Sequence, residues 1–248
     1  MTAPVFLAPT DALASGSSVV LDGAEGHHAV RVRRIQVGGA VVLADGLGLW
    51  VEGLVSAVDG DRLVVRVVAR HHDPAPELHL TVVQALAKGE RGERAVELMT
   101  EVGVDTVVPW RAAHCVVRWE GERGERAQHR WQRTAAEAGK QARRTRGVVV
   151  TPAMSTAEVV SAIEAATVGL VLDETARRSI TEVELPTAGE VLVVVGPEGG
   201  LSDDERSQLA AAGARAVRLG PTVLRTSTAG AVAAAVLLAA TPRWRPTA

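Results

Sequence analysis

Two glycine-rich turns hold the residues best placed to do chemistry. The first is Gly196-Pro197-Glu198-Gly199-Gly200, directly after the apolar run Val191 to Val195. The second is Leu219-Gly220-Pro221-Thr222-Val223-Leu224-Arg225-Thr226, directly before a long Ala/Val/Leu stretch. Both read as places where a buried strand hands over to a helix, which is where open α/β sheets bind ligands. Neither G-x-G-x-x-G nor G-x-x-x-x-G-K-[ST] occurs in the chain, so the usual glycine cradles for phosphate are missing. Ser202-Asp203-Asp204-Glu205 reads as a capping box that starts the helix behind the first turn. Its two aspartates suit a helix N-terminus but would repel a free phosphate. The turns therefore point to a ligand other than a free anion.

Around these turns, single residues admit two readings each. Arg225 can orient a substrate and stabilise negative charge developing on it, or it closes its own loop by bonding carbonyls. Glu198 bonds a ligand or fixes its own turn. Asp173 and Glu174 follow an apolar run and are either part of the site or solvated loop charges. Cys115 is the sole cysteine and reads as a core residue. It excludes an intramolecular disulfide and any zinc cluster built from several thiolates. His27 and His28 contact phosphate or cap a local helix. With no further ligands in sequence reach they do not make a metal site, and none is expected.

The elements that must position these residues fall into two patterns. Up to about residue 70 the chain reads as β, with short apolar runs (Val19 to Leu21, Ala40 to Ala44, Leu49 to Ala57, Leu63 to Ala69) separated by Asp22-Gly23, Asp45-Gly46 and Asp59-Gly60. Asp-Gly supplies the positive φ of tight hairpin turns, and the spacing suggests a small barrel. Glu25 to Ile35 is the exception and reads as a short helix. Asp73-Pro74-Ala75-Pro76 breaks the pattern. It places a boundary between residues 1–73 and 74–248.

Beyond it strands alternate with helices, as in a mostly parallel sheet. Strands are expected at Leu78 to Leu86, Asp105 to Pro109, Val148 to Val150, Val168 to Leu172 and Val191 to Val195, and a helix at Glu90 to Val102. Glu125 to Arg146 has helical register, with Ala127, Trp131, Ala135, Ala138 and Ala142 on one stripe and Arg126, Arg130, Arg133, Lys140 and Arg144 on another. The first stripe is expected to dock and the second to be free for phosphates, or simply solvated. A final helix, Thr228 to Ala240, is apolar nearly all round and too short to span a bilayer, so it is buried against this chain's own sheet or a second subunit.

The totals narrow the class. The 248 residues are 47% apolar, with one Phe, five Trp and no Tyr, which argues against an aromatic base-stacking platform. Net charge is −2, yet residues 121–147 hold eight Lys/Arg against three Glu. Arg31, Arg33 and Arg34 form a second basic knot. Local patches like these suit an anionic polymer or a solvated face. No signal-like or membrane-spanning segment stands out, so a cytoplasmic protein with no membrane partner is expected.

Taken together, the two turns resemble those of SPOUT-class RNA methyltransferases, and within that class the RsmE family, which methylates N3 of a uridine in small-subunit (16S) ribosomal RNA. Other segments match the family in order and spacing: His27-His28-x-x-Arg31-x-x-Arg34, Ala87-Lys88-Gly89-Glu90-Arg91, Glu97-Leu98-x-x-Glu101-x-Gly103-Val104, and Gln141-x-x-Arg144-x-Arg146. The resemblance implies a PUA-like β-barrel followed by a SPOUT α/β domain with a C-terminal trefoil knot. It implies S-adenosylmethionine as cofactor, held by Leu172, by Gly196, Pro197, Glu198, Gly199 and Gly200, and by Leu219, Gly220, Leu224 and Thr226. Arg225 is the implied catalytic residue. The implied RNA contacts are His28, Arg31, Arg34, Lys88, Gln141, Arg144 and Arg146. Small-subunit ribosomal RNA, free or in the assembled subunit, is the expected partner, and the chain is expected to be a homodimer. Methylation of a ribose 2′-hydroxyl, or a ribosome-assembly role without turnover, stays open beside this reading. The chain departs from the family at Pro4-Val5-Phe6-Leu7, which lacks an Arg, at Ser227, where many members have Glu, and at Lys140-Gln141, where Glu-Gln is common.

Overall fold

The computed structural model describes residues 3–245. The chain divides between Ala75 and Pro76, and a second segment, Gly139–Gly147, groups with the N-terminal unit. The expected boundary after residue 73 lies two residues before this division.

The N-terminal unit runs β1 (Val5–Leu7), α1 (Thr10–Ala14), β2 (Ser18–Leu21), α2 (Gly23–His27), β3 (Ala40–Ala44), β4 (Leu49–Asp59) and β5 (Arg62–His72). Its sheet has the order β1-β3-β4-β5-β2, with β1 parallel to β3 and the other pairs antiparallel. Alternate residues of β4 and β5 (Val51, Val55, Leu63, Val65) turn into a core with Phe6, Leu13 and Leu43, the period-2 pattern of a half-buried strand. Asp59-Gly60 closes the β4–β5 hairpin, with Gly60 at φ +59°. Asp22-Gly23 was expected to be another hairpin turn, and the structure corrects this. Gly23 opens α2, which runs on as a π-turn over His28–Val32. The deciding contact is tertiary: a Cβ on Gly26 would lie 2.3 Å from the carbonyl oxygen of Asp61, so α2 sits directly on the hairpin tip.

The second unit continues with β6 (Leu78–Ala85), α3 (Arg91–Val102), β7 (Thr106–Trp110), α4 (Gly121–Gln141), β8 (Val149–Val150), α5 (Thr156–Ala165), β9 (Val168–Leu172), β10 (Gly189–Val195), α6 (Asp203–Ala211), β11 (Arg215–Val217) and α7 (Thr226–Ala239). Among the described residues its strands are ordered β11-β9-β10-β6-β7-β8, and every pair is parallel. The central strands are near-continuous Val/Leu runs because both faces are covered. The apolar α7 packs on α3, β6 and β10 of its own chain. Gly230 makes that packing possible, since a Cβ there would come within 2.8 Å of the Met99 sulfur.

The helix expected over Glu125 to Arg146 starts earlier and stops at Gln141. Its docking stripe holds for Ala127, Trp131, Ala135 and Ala138, all buried, but Ala142 is exposed beyond the helix end. Arg143 at φ +57° breaks the register, so Arg144 does not continue the basic stripe. Lys140 is not a free cation either. Its part-buried ammonium bonds Glu25 at 2.8 Å.

Candidate active site

Three loops follow the carboxyl ends of three neighbouring parallel strands. Leu172 ends β9, Gly196–Gly200 follow β10, and Leu219–Arg225 lead from β11 into α7. They line one cavity of about 670 Å³, within the range of small-molecule sites. Every residue the sequence assigned to the cofactor lies in this lining: Leu172, Gly196, Pro197, Glu198, Gly199, Gly200, Leu219, Gly220, Leu224 and Thr226. Arg225 lies there as well, at the N-cap of α7. Its side chain is without a hydrogen bond or ion pair among the described residues, so the reading in which it bonds carbonyls to close its own loop is not what the structure contains.

Local chemistry explains the shape of the glycine loop. Gly200 takes φ +73°, a region costly for a side chain. A Cβ on Gly199 would press to 3.1 Å from that of His114, whose Nδ1 lies 3.0 Å from the Gly200 carbonyl oxygen. The expected capping box is present: Ser202 Oγ accepts the Glu205 N–H while Glu205 bonds back to the Ser202 N–H. Glu205 does further work that no local pattern in the sequence marks. It is 3% exposed and also accepts the Ala113 N–H and the Thr156 hydroxyl.

Charges of both signs line the cavity: Arg91, Arg206, Arg218 and Arg225 against Asp173, Glu174 and Glu198. Arg91 bonds Glu198 at 3.0 Å, and Arg206 pairs with Asp173. Asp173 also accepts the backbone N–H and hydroxyl of Thr175, so it is not a solvated loop charge. No local pattern marks Arg206 or Arg218, because their place is set by strand order. Among the described residues, the backbone N–H groups of Leu219, Gly220 and Leu224 donate to no protein acceptor. They are donors ready for a ligand.

The residues assigned to RNA are spread over both units. In the first, His28 packs edge-on against Phe6 with ring centroids 6.1 Å apart. His27 bonds Asp61 at 2.9 Å and Arg31 bonds the same carboxylate at 2.5 Å. Hydrogen bonds from His27, then Arg31, hold that carboxyl below its ordinary value. Among the described residues neither histidine side chain caps a helix. Arg34 is exposed at φ +53°. In the Gly139–Gly147 segment, Gln141 is exposed, Arg144 donates to the Arg146 carbonyl, and Arg146 donates to the carbonyls of Asp73 and Pro74. Lys88, in the second unit, is exposed on the loop between β6 and α3. Cys115 is buried, and desolvation raises its thiol pKa, which makes it an inert core thiol. Among the described residues no group of three or more His, Cys, Asp or Glu is placed to hold a metal, and no helix is long and apolar enough to cross a membrane.

Residues 74–238 match the model of an RNA methyltransferase domain, and residues 21–68 that of an RNA methyltransferase PUA domain. The ribosomal RNA small subunit methyltransferase E of Mycobacterium bovis is 44% identical over 93% of this chain and 89% of its own length. A Legionella pneumophila methyltransferase solved with S-adenosylmethionine bound superposes with a TM-score of 0.87 at 25% identity, covering 97% of this chain and 99% of that one. A ribosomal RNA small subunit methyltransferase E of Neisseria gonorrhoeae, also solved with S-adenosylmethionine bound, shares the fold at a TM-score of 0.83 and 23% identity, over 96% of this chain and 98% of that one.

Proposed function

Because the chain belongs to the ribosomal RNA small subunit methyltransferase E family, we propose that it transfers a methyl group from S-adenosylmethionine to N3 of a uridine in small-subunit ribosomal RNA. The observation that carries this reading is the convergence of three strand-end loops on one cavity, with Arg225 in its lining and without a partner among the described residues. The residues present fit the cofactor. Leu172, Leu219 and Leu224 offer apolar surface to the faces of an adenine, and the uncommitted backbone N–H groups suit its edge. When bound, S-adenosylmethionine supplies an electrophilic methyl carbon on a positively charged sulfur.

Arg225 orients the uracil and stabilises the negative charge that develops on its ring oxygens as the N3 proton leaves. That proton needs an acceptor. Arg91 and Arg206 already hold Glu198 and Asp173, which leaves Glu174 and water for the task. His28, Arg31, Arg34, Lys88, Gln141, Arg144 and Arg146 supply the RNA contacts, in the cytoplasm, and the working form is a homodimer with a knotted C-terminal segment.

The test is labelled S-adenosylmethionine with undermethylated small subunits, followed by nucleoside mass spectrometry. The expected product is 3-methyluridine. A ribose-methylated nucleoside in its place overturns the N3 assignment, and RNA binding without any methyl transfer overturns the enzyme.

A further inference from the structure

The core of the second unit contains a carboxamide that packing does not call for. Gln84 lies near the end of β6, is 0% exposed, and has Val82, Val83 and Ala85 as buried strand neighbours. Its register partner on β10 is Val195. Burying an amide in such surroundings is costly unless its groups are bonded, and here they are bonded on one side only. Nε2 donates to the Ala85 carbonyl at 3.3 Å and to Thr226 Oγ1 at 3.0 Å. The Thr226 hydroxyl then donates its single proton to the Gly196 carbonyl at 2.7 Å. The Gln84 Oε1 atom is buried with no partner among the described residues. A methionine would fill a similar volume without that orphan oxygen.

The chain of bonds has a fixed direction: amide to hydroxyl to carbonyl. It ends on the two segments that frame the cavity, since Gly196 opens the glycine loop and Thr226 opens α7. Gln84 itself is not in the lining. We infer that Gln84 is a positioning residue for the cofactor cavity: by donating to Thr226 it holds the hydroxyl on Gly196 and so sets the spacing of the glycine loop and the Leu219–Thr226 loop. This rests on the cavity holding S-adenosylmethionine. It accounts for a polar group kept where an apolar one would pack as well, a local cost to stability retained at a functional site.

The test is Gln84→Met in the full chain, read by calorimetric titration with S-adenosylmethionine and by thermal unfolding without it. Affinity is expected to fall by about tenfold or more, the scale of one lost positioning hydrogen bond. The melting temperature of the free protein is expected to stay level or rise, because the orphan acceptor is gone. Gln84→Glu gives a second readout. Its carboxyl can donate to Thr226 only when protonated, so cofactor affinity should weaken as pH rises, against a flat wild-type profile. If wild type itself does not bind S-adenosylmethionine, the cavity's assignment fails and the inference falls with it. If wild type binds and Gln84→Met binds equally well, the inference alone is overturned. A melting temperature in Gln84→Met that drops together with affinity marks the residue as structural and overturns it too.

Discussion

The carboxylate of Glu205, in the first turn of α6, accepts the backbone N–H of Ala113 at 2.8 Å, across 92 residues of sequence. One side chain thus caps its own helix and fastens the segment that carries His114 against the glycine loop. Glu205→Ala removes the cap's return bond and strands the Ala113 N–H in a part-buried site. The expected loss is about 2–4 kcal/mol, a fall in melting temperature of roughly 5–10 °C. Scanning calorimetry checks it. A variant melting within about 1 °C of wild type would show that Glu205 carries none of this.

Arg225→Ala should leave cofactor binding nearly intact and abolish most turnover. Loss of one charge-stabilising donor in a site of this kind costs about 10²–10³ in kcat, while the dissociation constant for S-adenosylmethionine should change by less than about threefold. Single-turnover kinetics beside calorimetry separates the two quantities. Full turnover in this variant would remove Arg225 from the mechanism.

The Arg91–Glu198 pair has side chains 53% and 38% exposed, so its contribution to folding is small, about 0–1 kcal/mol. Its effect should appear in binding, because it anchors the glycine loop to the start of α3. Arg91→Ala is expected to raise KM for S-adenosylmethionine by about three- to tenfold with kcat little changed. The outcome that counts against this is a variant whose KM matches wild type at both low and high salt.

Two arginines that look equivalent in sequence should differ toward RNA. Arg31 is already paired with Asp61, whereas Arg34 is exposed on a left-handed backbone position with no such partner among the described residues. Arg34→Ala should reduce the slope of log K against log salt by about one for a small-subunit RNA fragment, and Arg31→Ala by less. Fluorescence anisotropy over a salt series gives both slopes. Equal slopes would mean that Asp61 does not compensate Arg31.

Asp61 also sets a direction in pH. Its folded-state carboxyl is held below the ordinary 3.8, first by the His27 hydrogen bond and then by that of Arg31. A lowered carboxyl stabilises the fold above its unfolded value, and that contribution is lost as pH falls through the lower folded value. The melting difference between wild type and Asp61→Asn should therefore shrink as pH falls below about pH 4. A difference that grows on acidification contradicts the assignment.

Much of the second unit was legible because its signals are local. The Val/Leu runs of β9 and β10 are written in consecutive residues, as is the capping box at Ser202. The docking stripe of α4 was legible as far as Ala138. Its end was not, because that depends on Lys140 meeting Glu25, 115 residues away in sequence, and on Arg143 turning left-handed. Asp22-Gly23 was misread for a related reason. The dipeptide suits a hairpin turn or a helix start, and only the approach of Gly26 to the β4–β5 tip selects the helix.

At the site, the sequence by itself determined the residue types and the turns: glycines where backbone must bend or pass closely, an arginine ahead of α7, and a capped helix behind the first loop. Only the tertiary structure decided that the three loops share one cavity, that Arg206 meets Asp173, and that Gln84 reaches Thr226 from 142 residues away. The physical reason is the parallel sheet. Each neighbouring strand is reached through a crossover connection, so the strand order that brings distant loops together leaves no local pattern to read.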